Sequence, residues 1–164
     1  MKAKHGFTLV EILIVVVILG ILAAIVIPQF TEASTEAKVS SLVSDLQTMR
    51  SQIQLFKIQH NDNLPGWQGA TWLQAMTGYT DQYGTIVAQG TVGAFGPYMR
   101  AVPANPFVDP GNTNPPVNQV VTVGTGATPA DNSSGWFFHS DTGEINANDS
   151  LTLNDAMSTP HSTL

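Results

Sequence analysis

The chain contains no cysteine. No disulfide can brace it, so packing or a bound ion must hold its fold. Charge is scarce as well, with only 11% of residues being Asp, Glu, Lys or Arg and a formal net charge of -6. Positive charge is the scarcest. After Lys57 the sole basic residue is Arg100, set against Asp62, Asp81, Asp109, Asp131, Asp141, Glu144, Asp149 and Asp155. A surface of that sign offers phosphate backbones nothing to bind, so no nucleic-acid partner is expected.

Recognisable catalytic patterns are missing too. The chain has no Gly-x-Ser-x-Gly elbow, no phosphate loop and no His pair at metal-ligand spacing. Its histidines are His5, His60, His139 and His161. His5 and His161 lie near the two termini. His60 closes a helical pattern, where a cation is favoured by the helix dipole. His139 stands beside Ser140 and Asp141, but a triad is defined by geometry and roles, which three adjacent residues do not supply. The chain is therefore expected to be no enzyme and to have no catalytic residue. It has no internal repeat either, and its 164 residues suit one small domain.

What the sequence does have is an apolar run. From Phe7 to Ile27 the only charge is Glu11, and Thr8 is the only other strongly polar side chain. Crossing a bilayer takes ~20 apolar residues, which this run supplies. A soluble core helix would not be apolar all round for that length. Lys2 and Lys4 precede the run, which predicts a cytoplasmic amino terminus and an exported remainder. A secretory signal peptide has an apolar core of about 7–15 residues and then a small-residue cleavage site. Here Ala23-Ala24 lies inside a longer run, and Ile25-Val26-Ile27 follows directly. A plain anchor explains the length but not Glu11. A carboxylate in hydrocarbon costs about 2.5–3.5 kcal/mol on insertion scales and generally has a partner. No Lys or Arg occurs between Phe7 and Lys38, so the neutralising charge is expected from another molecule.

Lys4-His5-Gly6-Phe7-Thr8-Leu9-Val10-Glu11 resembles the amino-terminal signal of type IV pilins and the pseudopilins of type II secretion. The resemblance implies that a prepilin peptidase cuts between Gly6 and Phe7 and methylates the new amine of Phe7. It also implies that Glu11 pairs with that amine on a neighbouring subunit, and that Pro28 is the family's helix-breaking proline. Two later windows sharpen the likeness to the major pseudopilin: Gly96-Pro97-Tyr98-Met99 through Val102-Pro103-Ala104-Asn105-Pro106-Phe107, and Gly135-Trp136-Phe137-Phe138 through Thr142-Gly143-Glu144-Ile145. The expected role is a structural subunit of a helical homo-oligomeric filament. Its implied partners are prepilin peptidase, inner-membrane assembly machinery and minor pseudopilins. The implied location is the bacterial inner membrane, with a single pass, a cytoplasmic amino terminus and a periplasmic head. A type IV pilus subunit for adhesion or motility, and a membrane-anchored exported binding domain, are the alternatives. Major pilins often carry a carboxy-terminal disulfide loop, which the lack of Cys rules out here.

The expected fold is α+β: a long amino-terminal helix, half transmembrane and half amphipathic, packed against a small antiparallel sheet. Residues 1–6 read as leader, 7–28 as membrane and assembly helix, 29–60 as the amphipathic helix of the head, 61–150 as loops and sheet, and 151–164 as a flexible tail. Pro28 predicts a kink or local melt. Beyond it, Val39, Leu42, Leu46, Met49, Ile53 and Phe56 repeat at spacings of three and four, placing them on one helix face. That stripe is expected to pack on the chain's own head. Asn61-Asp62-Asn63-Leu64-Pro65-Gly66 stops the helix. Trp72 to Met76 suggests a short helix, and Thr85-Ile86-Val87 a short strand. The prolines of 96–107 predict an extended loop pinned by Phe95, Tyr98 and Phe107. Trp136 to His139, a Ser140–Gly143 turn and a return from Glu144 to Ala147 read as a hairpin, with a further strand within Asn118 to Val123.

Many secretion pseudopilins bind calcium in an acid-rich loop before the last hairpin. In this chain 117–134 offers few carboxylates. Asp109, Asp131, Asn132 and Asp141 are the candidate ligands, against the six to eight oxygens that calcium takes. Turn formation explains the same residues without a metal.

Overall fold

The computed structural model describes residues 6–150 except 112 and 114. The leader residues before Gly6 and the tail 151–164 lie outside the described residues. The chain divides into two compact units, Met1–Lys38 and Val39–Leu164, taken in turn below.

Helix α1, Leu9–Gln59, belongs to both units. Within the first unit it is exposed at every described position. It is the one helix among the described residues that is long and apolar enough to cross a membrane, and none of its most apolar window is buried. The helix runs unbroken through Pro28, so the local melt expected there does not occur. Proline removes one backbone N–H from the ladder. Just beyond it, Thr31 Oγ1 donates to the Ile27 carbonyl at 3.2 Å and Thr35 Oγ1 to the Thr31 carbonyl at 3.1 Å.

In the second unit α1 changes character. Leu42, Leu46, Met49, Ile53 and Phe56 are all at most 1% exposed, which is the face that their spacing predicts. Burying each such side chain stabilises by about 1.5–3 kcal/mol. His60 extends the stripe by one more turn and is itself fully buried. Its ring stacks on Phe56 with centroids 3.8 Å apart, Nδ1 reaches the Phe56 carbonyl at 2.8 Å, and Nε2 lies 2.9 Å from Thr80 Oγ1. His60 thus ties the helix end to a strand, and is not the exposed cation that its place at a helix end suggests. Asn61 and Asp62 then take left-handed backbone angles, φ 54 and φ 65. Short polar side chains tolerate that region, and it ends the helix.

Helix α2, Trp72–Thr77, is set by a capping box between Thr71 and Gln74. Strands β1 (Tyr79–Thr80) and β2 (Ile86–Val87) pair antiparallel. Asp81 Oδ1 accepts from the Tyr83 and Thr85 N–H groups, both at 2.9 Å, and so fixes their turn. The proline-rich loop then lies on the core as expected. Tyr98 is buried, Phe95 and Phe107 pack beside it, and the Tyr98 and Met99 N–H groups both donate to the Met76 carbonyl. Tyr98 Oη donates to Gln59 Oε1 at 2.6 Å.

A second sheet has the order β3 (Val121–Gly124), β4 (Trp136–His139), β5 (Ile145–Ala147). Trp136 and Phe138 are fully buried against the α1 stripe in one core cluster. Strands β4 and β5 form the expected antiparallel hairpin, with Gly143 at φ 79 in its turn. Strand β3, however, runs parallel to β4, so this sheet is mixed. The physical reason is the connection 125–135, which carries the chain back so that β4 starts beside the beginning of β3. Gly135 permits that return, because any Cβ there would collide with the Asn118 carbonyl. The fold class, α+β with one long amino-terminal helix, is as the sequence predicts.

Candidate functional site: the amino-terminal motif

Gly6, Phe7 and Thr8 precede α1 and are exposed, Phe7 at 81%. Gly6 is not in the left-handed region, and a Cβ built on it meets nothing within 4 Å. The fold of the chain therefore makes no demand for glycine at this position.

Thr8 and Glu11 build a capping box on the first turn of α1. The Thr8 N–H and Oγ1 donate to Glu11 Oε2 at 2.8 and 2.7 Å, and the Glu11 N–H donates to Thr8 Oγ1 at 3.3 Å. This satisfies orphan donors of the helix start and places a carboxylate at the positive end of the dipole. Glu11 is thus hydrogen-bonded within its own chain, with no basic partner among the described residues. The Ser/Thr-x-x-Glu spacing was the sequence signal for this contact.

The four candidate calcium ligands each sit in local turn structure. Asp109 Oδ1 accepts from the Gly111 N–H at 2.8 Å, and Asp131 Oδ1 from the Ser133 N–H at 2.9 Å. The Ser133 hydroxyl and N–H hold the Asp131 carboxyl below its usual range. Asn132 bonds Ser150 through both its amide oxygen and nitrogen. Asp141 is exposed in the β4–β5 turn. Among the described residues no group of three or more His, Asp or Glu is placed to hold a metal ion, so this donor set does not fit calcium as a cluster of carboxylates.

A polar cluster elsewhere in the head was not anticipated. Asn105 and Asn148 are fully buried. The Asn148 amide donates to Asp131 Oδ1, Ser133 Oγ and Ser134 Oγ, and accepts from the Ala130 N–H at 2.9 Å. The Asn105 amide donates to the Gly135 carbonyl at 2.9 Å and to Asp149 Oδ2 at 3.0 Å, and accepts from the Phe107 N–H. These two side chains fasten the long loops to the sheet. Their role is structural.

Comparison with known proteins agrees with the motif. Residues 1–27 match the family model described as the prokaryotic N-terminal methylation motif. The chain is 41% identical over 59 residues to type II secretion system core protein G of Pseudomonas aeruginosa, covering 36% of this chain and 42% of the relative. It is 30% identical over 104 residues to the core protein G of Pectobacterium carotovorum subsp. carotovorum, covering 63% and 62%. It is 37% identical over 93 residues to the type IV major fimbrial protein FimA of Dichelobacter nodosus, covering 55% and 60%. No solved structure matches the chain. Residues 1–27 thus carry an N-terminal methylation motif that leads into a long apolar helix. The relatives include both type II secretion core proteins and type IV fimbrial proteins. The chain spans less than two thirds of these relatives' own length, 42% and 62% for the two core proteins named.

Proposed function

We propose that this protein is a structural subunit of a type IV pilus-like filament, and specifically of a type II secretion pseudopilus. The observation that carries the reading is the pairing of an exposed, all-round apolar helix start with the Gly6-Phe7 junction. The apolar face needs either lipid or other copies of itself. Glycine at position 6 serves no purpose within the fold, which points to an external enzyme that reads it. Cleavage after Gly6 by a prepilin peptidase then leaves a methylated amine on Phe7. In the membrane the monomer holds Glu11 through its capping box with Thr8. On assembly the Phe7 amine of an adjacent subunit brings the positive charge that Glu11 lacks. Apolar packing of Leu9 to Ile27 supplies the cohesion, while the head beyond Val39 folds on its own core. The likeness to FimA supports a second reading, a type IV pilus subunit. The absence of cysteine, and with it of any disulfide loop, favours the secretion reading.

The test is the intact mass and amino-terminal sequence of the protein taken from its native membrane. A chain starting at methylated Phe7 is expected. A chain that still starts at Met1 would reduce the protein to an ordinary anchor, and the assembly mechanism would fall.

A further inference from the structure

We propose that the groove beside Trp67 is a socket for the last turn of helix α1 from a second copy of this chain. The proposal deepens the filament reading and rests on it.

The groove encloses about 680 Å³. It runs between the turn from Asp62 to Trp67, the start of α2 at Trp72 and Leu73, and Val121 and Val123 of β3. Strand β3 is the edge of its sheet, and Val123 remains 48% exposed. Trp67 is 63% exposed. Trp72, by contrast, is buried, yet its indole N–H is the one buried side-chain donor without an acceptor among the described residues. Buried donors without partners are rare in folded chains. The socket is therefore apolar, and acidic at Asp62.

The end of α1 offers the complement of each property. Leu55 and Ile58 are three residues apart, so they share a helix face, and Ile58 is 78% exposed. Lys57 lies between them and is the last basic residue before Arg100. No side-chain hydrogen bond or ion pair within the described residues occupies Lys57 or Asp62. Helix ends leave their last carbonyls unpaired. The turn that follows α1 uses the carbonyls of Phe56, Lys57 and His60, which leaves that of Ile58 to accept a bond from outside. Ile58 thus fits the apolar floor, and Lys57 suits Asp62. In a head-to-tail arrangement the helix end of one copy enters the socket of the next, and the contact propagates from copy to copy. A filament requires that property.

The chain has no cysteine of its own, so introduced ones report a single contact. Two full-length, differently tagged chains are co-expressed, one carrying Ile58→Cys and the other Trp67→Cys, and the cells are mildly oxidised. A disulfide-linked dimer bearing both tags is expected, and neither variant alone should give one. Lys57→Asp should lower the dimer yield at least tenfold, and adding Asp62→Lys to the same chains should restore it. Sheared filaments are imaged from the same cultures. Filaments without a mixed dimer would overturn the socket and leave the filament reading standing. A dimer from Trp67→Cys alone would mean a two-fold contact and would also overturn it. Wild-type cultures without filaments would remove the filament reading and the socket together.

Discussion

Helix α1 contains two kinds of apolar sequence, and the richer kind builds none of the core. From Leu9 to Ile27 every face is apolar, yet every one of these residues is exposed. From Leu42 to Phe56 polar residues interrupt the apolar ones, and the stripe Leu42, Leu46, Met49, Ile53 and Phe56 is at most 1% exposed. The difference lies in the partner surface. The second stretch meets Trp136, Phe138 and Ile145, all fully buried against it. The first is exposed throughout among the described residues. Burial stabilises only where two surfaces leave water together. An unaccompanied apolar helix therefore marks a need for lipid or for other copies, whereas a striped one marks a folded head.

The sharpest way to break this comparison is to change the first stretch and measure both halves. Glu11→Ala is expected to abolish filament growth, because the charge proposed to register neighbouring subunits is gone. Thermal unfolding of the head should not move, since among the described residues Glu11 bonds only Thr8. Normal filaments from that variant would sink the charge-pairing role. The reciprocal pair probes the second stretch. Leu46→Ala leaves a cavity in the core, which costs about 2–5 kcal/mol. Ile18→Ala, made in the exposed run, should leave the melting temperature of the detergent-solubilised protein unchanged. Equal losses from the two substitutions would erase the distinction between the halves.

How much of this was legible depended on how local each signal was. The α1 stripe, its stop at Asn61-Asp62 and the β4–β5 hairpin follow from spacing and turn residues that lie close together in sequence. The direction of β3 does not, because it is set by the route of 125–135 and by the room that Gly135 leaves. His60 looked like a helix-end cation, since burial under Phe56 and a bond to Thr80 depend on residues distant in sequence. Glu11 has no basic residue near it in sequence, and the Thr8 hydroxyl three residues away supplies a hydrogen bond, not a charge. Asn105 and Asn148 sit in windows rich in turn-formers, where an asparagine that fastens a buried loop looks the same as one that simply bends it.

Those asparagines supply the next prediction. Asn148→Ala strips the acceptor from the Ala130 N–H and the amide donor from Ser134. Leaving buried groups unpaired costs about 1–3 kcal/mol. The loss should appear as a lower melting temperature and faster hydrogen exchange through 128–135, with filament processing unaffected. Unchanged exchange there would mean that the loop is held by other contacts.

The smallest effect is the dependence of head stability on alkaline pH. Tyr98 is 8% exposed, and burial pushes its phenol up to about 12 from the ordinary 10.0. A raised folded value means that the fold favours the neutral form. Its contribution is therefore fully present below pH 10.0 and is lost as pH rises from there towards about 12. The midpoint of thermal unfolding should decline across that window. Tyr98→Phe removes the titrating group together with its bond to Gln59, and should lower stability at neutral pH while flattening the alkaline decline. Ile18→Ala should leave that decline intact, because it changes neither the Tyr98 phenol nor its partner Gln59. An equally steep decline in Tyr98→Phe would assign the alkaline weakness to another group and remove Tyr98 as the link between the helix end and the loop that covers it.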